Sequence, residues 1–186
     1  VLMTGTPETH RPYLAAIKDR MTELGHVEGR TFMLDVAWAD GEVRRVPALV
    51  AELIQRNPDV IVAPTTSVVL AVRRTGSSVP TVFTTVADPI GSGFVKSYSR
   101  PGGTATGIQG NIDSLPGKQI ELIREIVPGA MRIGMLINRL NPSTLGQRRN
   151  ADMAAASLGV TLLSAEISAA GDLGAAIDRL ARDQAQ

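Results

Sequence analysis

The chain has 186 residues, 44% hydrophobic and 20% charged, with 19 Lys and Arg against 18 Asp and Glu for a formal net charge of +1. Balanced mixed charge is the profile of a globular protein without the basic footprint of a nucleic-acid binder, and at roughly 150 residues per domain the length allows one large domain or two small ones, either able to bury a core. Cysteine is absent, which removes disulfides, thiolate chemistry and cysteine-ligated metal sites while leaving the compartment open.

The chain opens at Val1-Leu2-Met3, inside a strand, and stops at Gln186 in a segment of helical pattern, so both ends are expected to be cuts. No apolar run approaches the ~18 residues of a membrane-spanning helix, and no basic segment followed by an apolar stretch marks an export signal. Leu14, Ile17, Met21 and Leu24 recur at helical spacing; Thr9 and Pro12 suit the start of that helix and Gly25 its end. A strand is expected over 31–38. The next helix carries Leu49, Val50, Leu53 and Ile54, with Pro47 in its first turn and Asn57-Pro58 as its stop. Val60-Ile61-Val62-Ala63 is short and uniformly apolar, as a central parallel strand buried on both faces should be.

A strand over 79–86 follows, and Asp88-Pro89 with Gly91 and Gly93 makes a loop or short helix. Arg100-Pro101-Gly102-Gly103 is the strongest turn punctuation in the chain, and the handover between two lobes is placed there: 1–103 as an N-terminal ligand-binding lobe, 104–186 as a partial C-terminal lobe. The pattern then restarts with a strand over 106–109, a helix carrying Ile120, Ile123 and Val127, and a strand over 131–138. Asn141-Pro142-Ser143 opens another helix, a strand covers 160–167, and Leu173, Ile177 and Leu180 mark a last amphipathic helix. Alternating strands and helices of this kind define an α/β fold with mostly parallel sheets.

In such sheets ligands bind beyond the carboxyl ends of the strands, where backbone N–H groups and helix N-termini converge. Small polar residues collect there: Thr4, Gly5 and Thr6 after the first strand, Thr65, Thr66 and Ser67 after the third, Thr85 and Asp88 at the end of the fourth, and Asn138 closing the strand that begins near Met131. Hydroxyls and free amides at a helix N-terminus suit a carboxylate or phosphate, and a lone Asp opposite suits an ammonium, so a zwitterion such as an amino acid would satisfy both. The same residue types also cap helices and shape turns. Asp88 is the strongest single candidate.

Enzyme motifs fare worse. Gly91-Ser92-Gly93 lacks the third glycine of a dinucleotide fingerprint, and Gly117-Lys118 is followed by Gln119 and has Ile112 where a phosphate loop needs glycine, so both read as turns. His10 and His26, the two histidines, fall in loop-like contexts and read as surface residues that support neither a triad nor a metal site. Asp35 in a strand and Asp113 in a loop do not make an acid/base pair. Asn141-Pro142-Ser143 has proline where a glycosylation acceptor forbids it. The aromatics Tyr13, Phe32, Trp38, Phe83, Phe94 and Tyr98 are read as packing first, and the arginine pairs at 44–45, 73–74 and 148–149 as solvated helix faces. No cofactor is expected.

Five segments stand in series: Glu23-Leu24-Gly25-His26-Val27-Glu28-Gly29-Arg30, Val46-Pro47-Ala48-Leu49-Val50-Ala51-Glu52-Leu53, Pro58-Asp59-Val60-Ile61-Val62, Val86-Ala87-Asp88-Pro89-Ile90-Gly91-Ser92-Gly93-Phe94-Val95 and Arg100-Pro101-Gly102-Gly103-Thr104-Ala105-Thr106-Gly107. Together they resemble the ABC-transporter substrate-binding proteins related to tryptophan and tyrosine binders. The resemblance implies a type I periplasmic-binding-protein fold of two Rossmann-like lobes, a small organic ligand taken into a cleft by hinge closure, delivery to a membrane ABC permease, and a periplasmic or other extracytoplasmic location. It implies ligand contacts at Thr65, Thr66, Ser67 and Asp88, with Asn138 from the second lobe. Family chains continue through more of the second lobe than this one does. An aromatic amino acid is suggested by some relatives, and an aliphatic amino acid or small carboxylate would suit the hydroxyls equally. An effector-sensing domain of a transcription regulator is the alternative, since one fold serves both.

Overall fold

The computed structural model describes residues 1–110 and 115–186; Ile112 and Asp113, singled out above, lie outside the described residues. The chain divides into two compact units, Val1–Gln109 and Gly110–Gln186. No helix among the described residues is long and apolar enough to cross a membrane.

The first unit contains β1 (Leu2–Met3), α1 (Pro7–Glu23), β2 (Ala37–Trp38), α2 (Val46–Gln55), β3 (Ile61–Ala63), α3 (Thr66–Arg74), β4 (Thr81–Val86) and β5 (Ala105–Gln109). Its hydrogen-bonded ladders are β1-β2 and β3-β4-β5, all parallel, and β1 lies against β3. The strand order is therefore β2-β1-β3-β4-β5, which reverses direction between β1 and β3. One apolar core holds the unit together: Leu2 from β1, Val46, Val50 and Leu53 from α2, Ile61 and Ala63 from β3, Val68, Val69 and Val72 from α3, and Phe83 and Val86 from β4. The turn at 100–103 precedes β5, yet β5 pairs with β4 and so belongs to this unit, whose boundary falls after Gln109.

The β4–β5 ladder contains a bulge. Phe83 pairs with Gly107 and Val86 with Gln109, which leaves Thr84 and Thr85 opposite Ile108 alone. A bulge interrupts the alternation of faces and re-aims a side chain, and both threonines are exposed. Gly107 is required here: its φ is +156°, and a Cβ on it would lie 1.9 Å from the Phe83 carbonyl oxygen.

The second unit contains α4 (Leu115–Ile126), β6 (Arg132–Asn138), α5 (Thr144–Leu158), β7 (Thr161–Ile167) and α6 (Leu173–Arg182). Parallel strands β6 and β7 pair along their whole length. Ile120, Ile133, Ala155 and Val160 pack into one cluster and Ala165, Ala176 and Leu180 into another. Gly117 sits in α4, and a Cβ on it would stand 3.4 Å from that of Ala154 on α5. Gly117-Lys118 is thus helix rather than turn, with room at Gly117 for a side chain in ordinary contact with Ala154.

Three further expectations are corrected. The first helix begins at Pro7, ahead of Thr9 and Pro12, because Thr6 caps it and proline at the first helical position gives up no needed N–H. His10 consequently lies in the first turns of α1 rather than in a loop. Regular strand over 31–38 shrinks to β2 because its partner β1 offers only Leu2 and Met3; beyond the ladder, the Val1 amino group donates to the Asp35 carbonyl.

Candidate functional site

The order β2-β1-β3-β4-β5 has its reversal between β1 and β3, and beyond the carboxyl ends of strands at such a point a crevice for ligand opens. Two helix N-termini flank it, and they differ. At α1 the Thr6 hydroxyl accepts the Thr9 N–H at 3.4 Å and the Thr9 hydroxyl accepts the Thr6 N–H at 3.1 Å, a reciprocal capping box. That terminus satisfies itself, and the Thr6 hydroxyl serves it. His10 closes the same corner: its ring lies so near Gly5 that a Cβ there would meet it at 2.0 Å, its Nδ1 is 2.8 Å from the Thr9 hydroxyl, and it stands 5.4 Å from the ring of Tyr13.

At α3 no side chain among the described residues caps the terminus. Thr65 occupies the cap position in extended conformation, but its hydroxyl pairs with that of Ser67 at 2.9 Å. The N–H groups of Val68 and Val69 both bond to the Thr65 carbonyl, so the Ser67 amide stands ahead of the first intrahelical bond. Helix-opening amides in this position carry partial positive charge and favour an anion. Thr65 and Ser67 are half-buried, whereas Thr66 is 7% exposed and turned inward.

On the neighbouring strand, Asp88 follows β4 and is exposed. Its Oδ1 accepts the Gly91 N–H at 2.7 Å. The carboxylate leans over Gly91 so closely that a Cβ there would lie 1.9 Å from Oδ2. The loop that carries it is tied down at both ends: Gln109 Nε2 donates to the Ala87 carbonyl at 2.7 Å, while the Arg73 guanidinium donates to the carbonyls of Ser92 and Gly93 at 2.9 and 3.1 Å. Sequence reasoning missed Gln109 and took Arg73 for a solvated face, because both act on backbone atoms of a distant loop.

Thr65, Thr66, Ser67, Thr85 and Asp88 thus lie at or beyond the ends of the adjacent strands β3 and β4, with Thr6 after β1. Asn138 ends β6 in the second unit, where its side-chain oxygen accepts the Leu140 N–H at 2.9 Å and its carbonyl accepts the Thr144 hydroxyl at 2.8 Å. Among the described residues no group of acidic or histidine side chains could hold a metal ion. A cavity of about 640 Å³ in the first unit, lined by Met21, Phe32, Asp35, Arg56 and Asp59 among others, lies at the opposite, amino-terminal end of the strands and includes none of the candidate residues.

The open parallel sheet places hydroxyls and helix amides at its switch point, and the fold is that of the type I periplasmic binding proteins. The model of the ABC transporter substrate binding proteins matches residues 11–186, and the chain belongs to that family. A tyrosine-binding protein of Clostridioides difficile (strain R20291) is 25% identical over 126 residues, 68% of this chain and 35% of the relative. A conserved domain protein of Vibrio cholerae O1 biovar El Tor has a solved structure 26% identical, with a TM-score of 0.85 over 98% of this chain and 60% of that one. An ABC domain from Streptococcus pneumonia in complex with L-Trp is 21% identical, with a TM-score of 0.80 over 97% of this chain and 60% of that one. The chain therefore spans less than two thirds of each.

Proposed function

We propose that this chain captures an amino-acid-like small molecule as the solute-binding component of an ABC importer. The observation that carries the reading is the pairing of the uncapped α3 N-terminus with an exposed carboxylate already oriented on the next strand. The ligand carboxylate sits on the Ser67 amide and the hydroxyls of Thr65 and Ser67, with Thr66 supporting the turn. Asp88 meets the ammonium through Oδ2, the oxygen not given to Gly91. Thr85, brought out by the bulge, and Thr6 border the ligand, and Asn138 reaches it from the second unit as the two units close about a hinge. Contacts made only in the closed state drive that closure, because a ligand shifts an equilibrium only by its differential affinity. The closed form then docks on a membrane permease outside the cytoplasm. The site binds and releases and performs no reaction.

Family membership favours this over an effector-sensing domain of a transcription regulator. A tyrosine-binding relative and a fold neighbour in complex with L-Trp make aromatic amino acids the first ligands to test. A thermal-shift screen of the full-length protein against amino acids, small carboxylates and nucleotides tests the reading. At a ligand concentration 100-fold above Kd, mass action adds about 2.7 kcal/mol, a rise in Tm of roughly 5–10 °C at this size. Such a rise with one or a few amino acids is expected; a rise with nucleotides alone would refute it.

A further inference from the structure

The loop after β4 belongs to neither helix nor strand, so its shape must come from specific bonds. Internally it is a series of tight turns: the Ser92 N–H bonds to the Asp88 carbonyl at 2.9 Å, Gly93 to Ile90 at 2.8 Å, and Phe94 and Val95 to Pro89 at 2.8 and 3.1 Å. Its far end is anchored by Phe94 and Val95, both buried in the core beside α3. Arg73 adds the tie to the helix itself, donating to two successive carbonyls while its guanidinium lies 5.4 Å from the centre of the Phe94 ring. One nitrogen, Nη1, makes both bonds while the flat face of the group stays beside the ring, and an ammonium, which lacks that face, reproduces only the hydrogen bonds.

Arg73 therefore joins the two halves of the candidate site, since α3 begins at the Thr65–Ser67 hydroxyls and two turns later holds the loop that carries Asp88. We propose that Arg73 is a positioning residue: it touches no ligand, but fixes the Asp88 carboxylate at a set distance from the α3 N-terminus and so sets the spacing between the ammonium and carboxylate that the site accepts. This rests on the reading of Asp88 and α3 given under Proposed function. Arg73 is exposed, so its replacement leaves the core intact.

The experiment uses the full-length protein in five forms: wild type, Arg73→Ala, Arg73→Lys, Asp88→Ala, and the double variant Asp88→Ala with Arg73→Ala. Affinities are measured for the best-binding amino acid and for its des-amino carboxylic acid. Arg73→Ala should weaken the amino acid about tenfold, equivalent to about 1.4 kcal/mol, and the des-amino acid by much less. Lysine should restore only part of the loss. In the Asp88→Ala background, Arg73→Ala should cost nothing more, because the group it positions is gone. Equal losses for both ligands, or additive losses in the double variant, would overturn the proposal.

A readout without ligand separates this from the functional reading. Hydrogen exchange at the Gly91 amide, which Asp88 protects, should accelerate roughly tenfold in Arg73→Ala, by loss of about 1.4 kcal/mol of local stability. Unchanged exchange would refute positioning even if wild type binds amino acids. If wild type binds no amino acid, the functional reading falls, and accelerated exchange still upholds the tie between Arg73 and Asp88.

Discussion

Gly91→Ala separates stability from affinity more cleanly than any other single change. Gly91 does not have a positive φ, so its backbone accepts alanine without strain. The obstacle is Asp88: the new Cβ would stand 1.9 Å from Oδ2, 2.7 Å from Cγ and 3.0 Å from Oδ1. To restore an ordinary separation of ~3.5 Å the carboxylate must retreat by about 1.5 Å, which breaks its 2.7 Å bond from the Gly91 N–H. Hydrogen bonds to charged groups are worth about 1.5–3 kcal/mol. In the free protein Asp88 is exposed and water takes over its oxygens, so the fold should lose only about 1 kcal/mol or less. If Asp88 meets the ammonium as proposed, the displaced carboxylate no longer reaches it and the full value is lost on binding, roughly 10- to 150-fold in Kd. Calorimetric titration with the cognate amino acid, alongside thermal unfolding, measures both quantities. Wild-type affinity in Gly91→Ala would refute the orientation of Asp88 described here, and a fall in stability as large as the fall in affinity would refute its separation from the core.

Gly107→Ala sets a Cβ 1.9 Å from a backbone oxygen at φ +156°, where no flexible side chain can yield; urea unfolding should show a loss of about 3 kcal/mol or more, and a loss below 1 would contradict the close packing at the bulge. The Ser164 hydroxyl is buried with no hydrogen-bond partner among the described residues, so Ser164→Ala should leave stability unchanged or raise it by about 1 kcal/mol in the same assay; a loss above that would show a bonded hydroxyl. Asp172 accepts the N–H groups of Ser168 and Ala169 at 2.7 and 2.9 Å, and these bonds hold its pKa below the ordinary value of 3.8. A lowered carboxylate pKa stabilises the fold above the unfolded value and ceases to do so as pH falls through the folded one. The stability gap between wild type and Asp172→Ala should thus be constant from neutrality to about pH 4 and close in stronger acid; a gap independent of pH would contradict the assignment.

Most of the architecture was legible because apolar residues recur with the period of the element they form. Val50 and Leu53 on α2, Ile61 and Ala63 on β3, and Leu180 on α6 became core as their spacing required, whereas Val60 is exposed and Val62 half-buried, so β3 is not buried on both faces. Boundaries were read less well where a bond, not a period, decides them. Thr6 rather than Thr9 starts α1 because the two hydroxyls cap each other's amides. The strand-end rule singled out Thr65, Ser67 and Asp88, whose side chains bond in the structure to residues near in sequence. Arg73 and Gln109 stayed hidden because each bonds to main-chain oxygens about 20 residues away, and a carbonyl leaves no mark in composition or pattern. The hydrogen-bond pattern also told the two helix termini apart, one closed by Thr6 and the other open at Thr65.

The central claim is that this sheet edge recognises both ends of a zwitterion. Calorimetric titration of the full-length protein with one bound amino acid, its des-amino acid and its decarboxylated amine tests it most directly. The account predicts that removing either group weakens binding at least about tenfold, with Asp88→Ala abolishing the preference for the amino acid over the des-amino acid. An analogue lacking both charges that binds as tightly as the amino acid would contradict it.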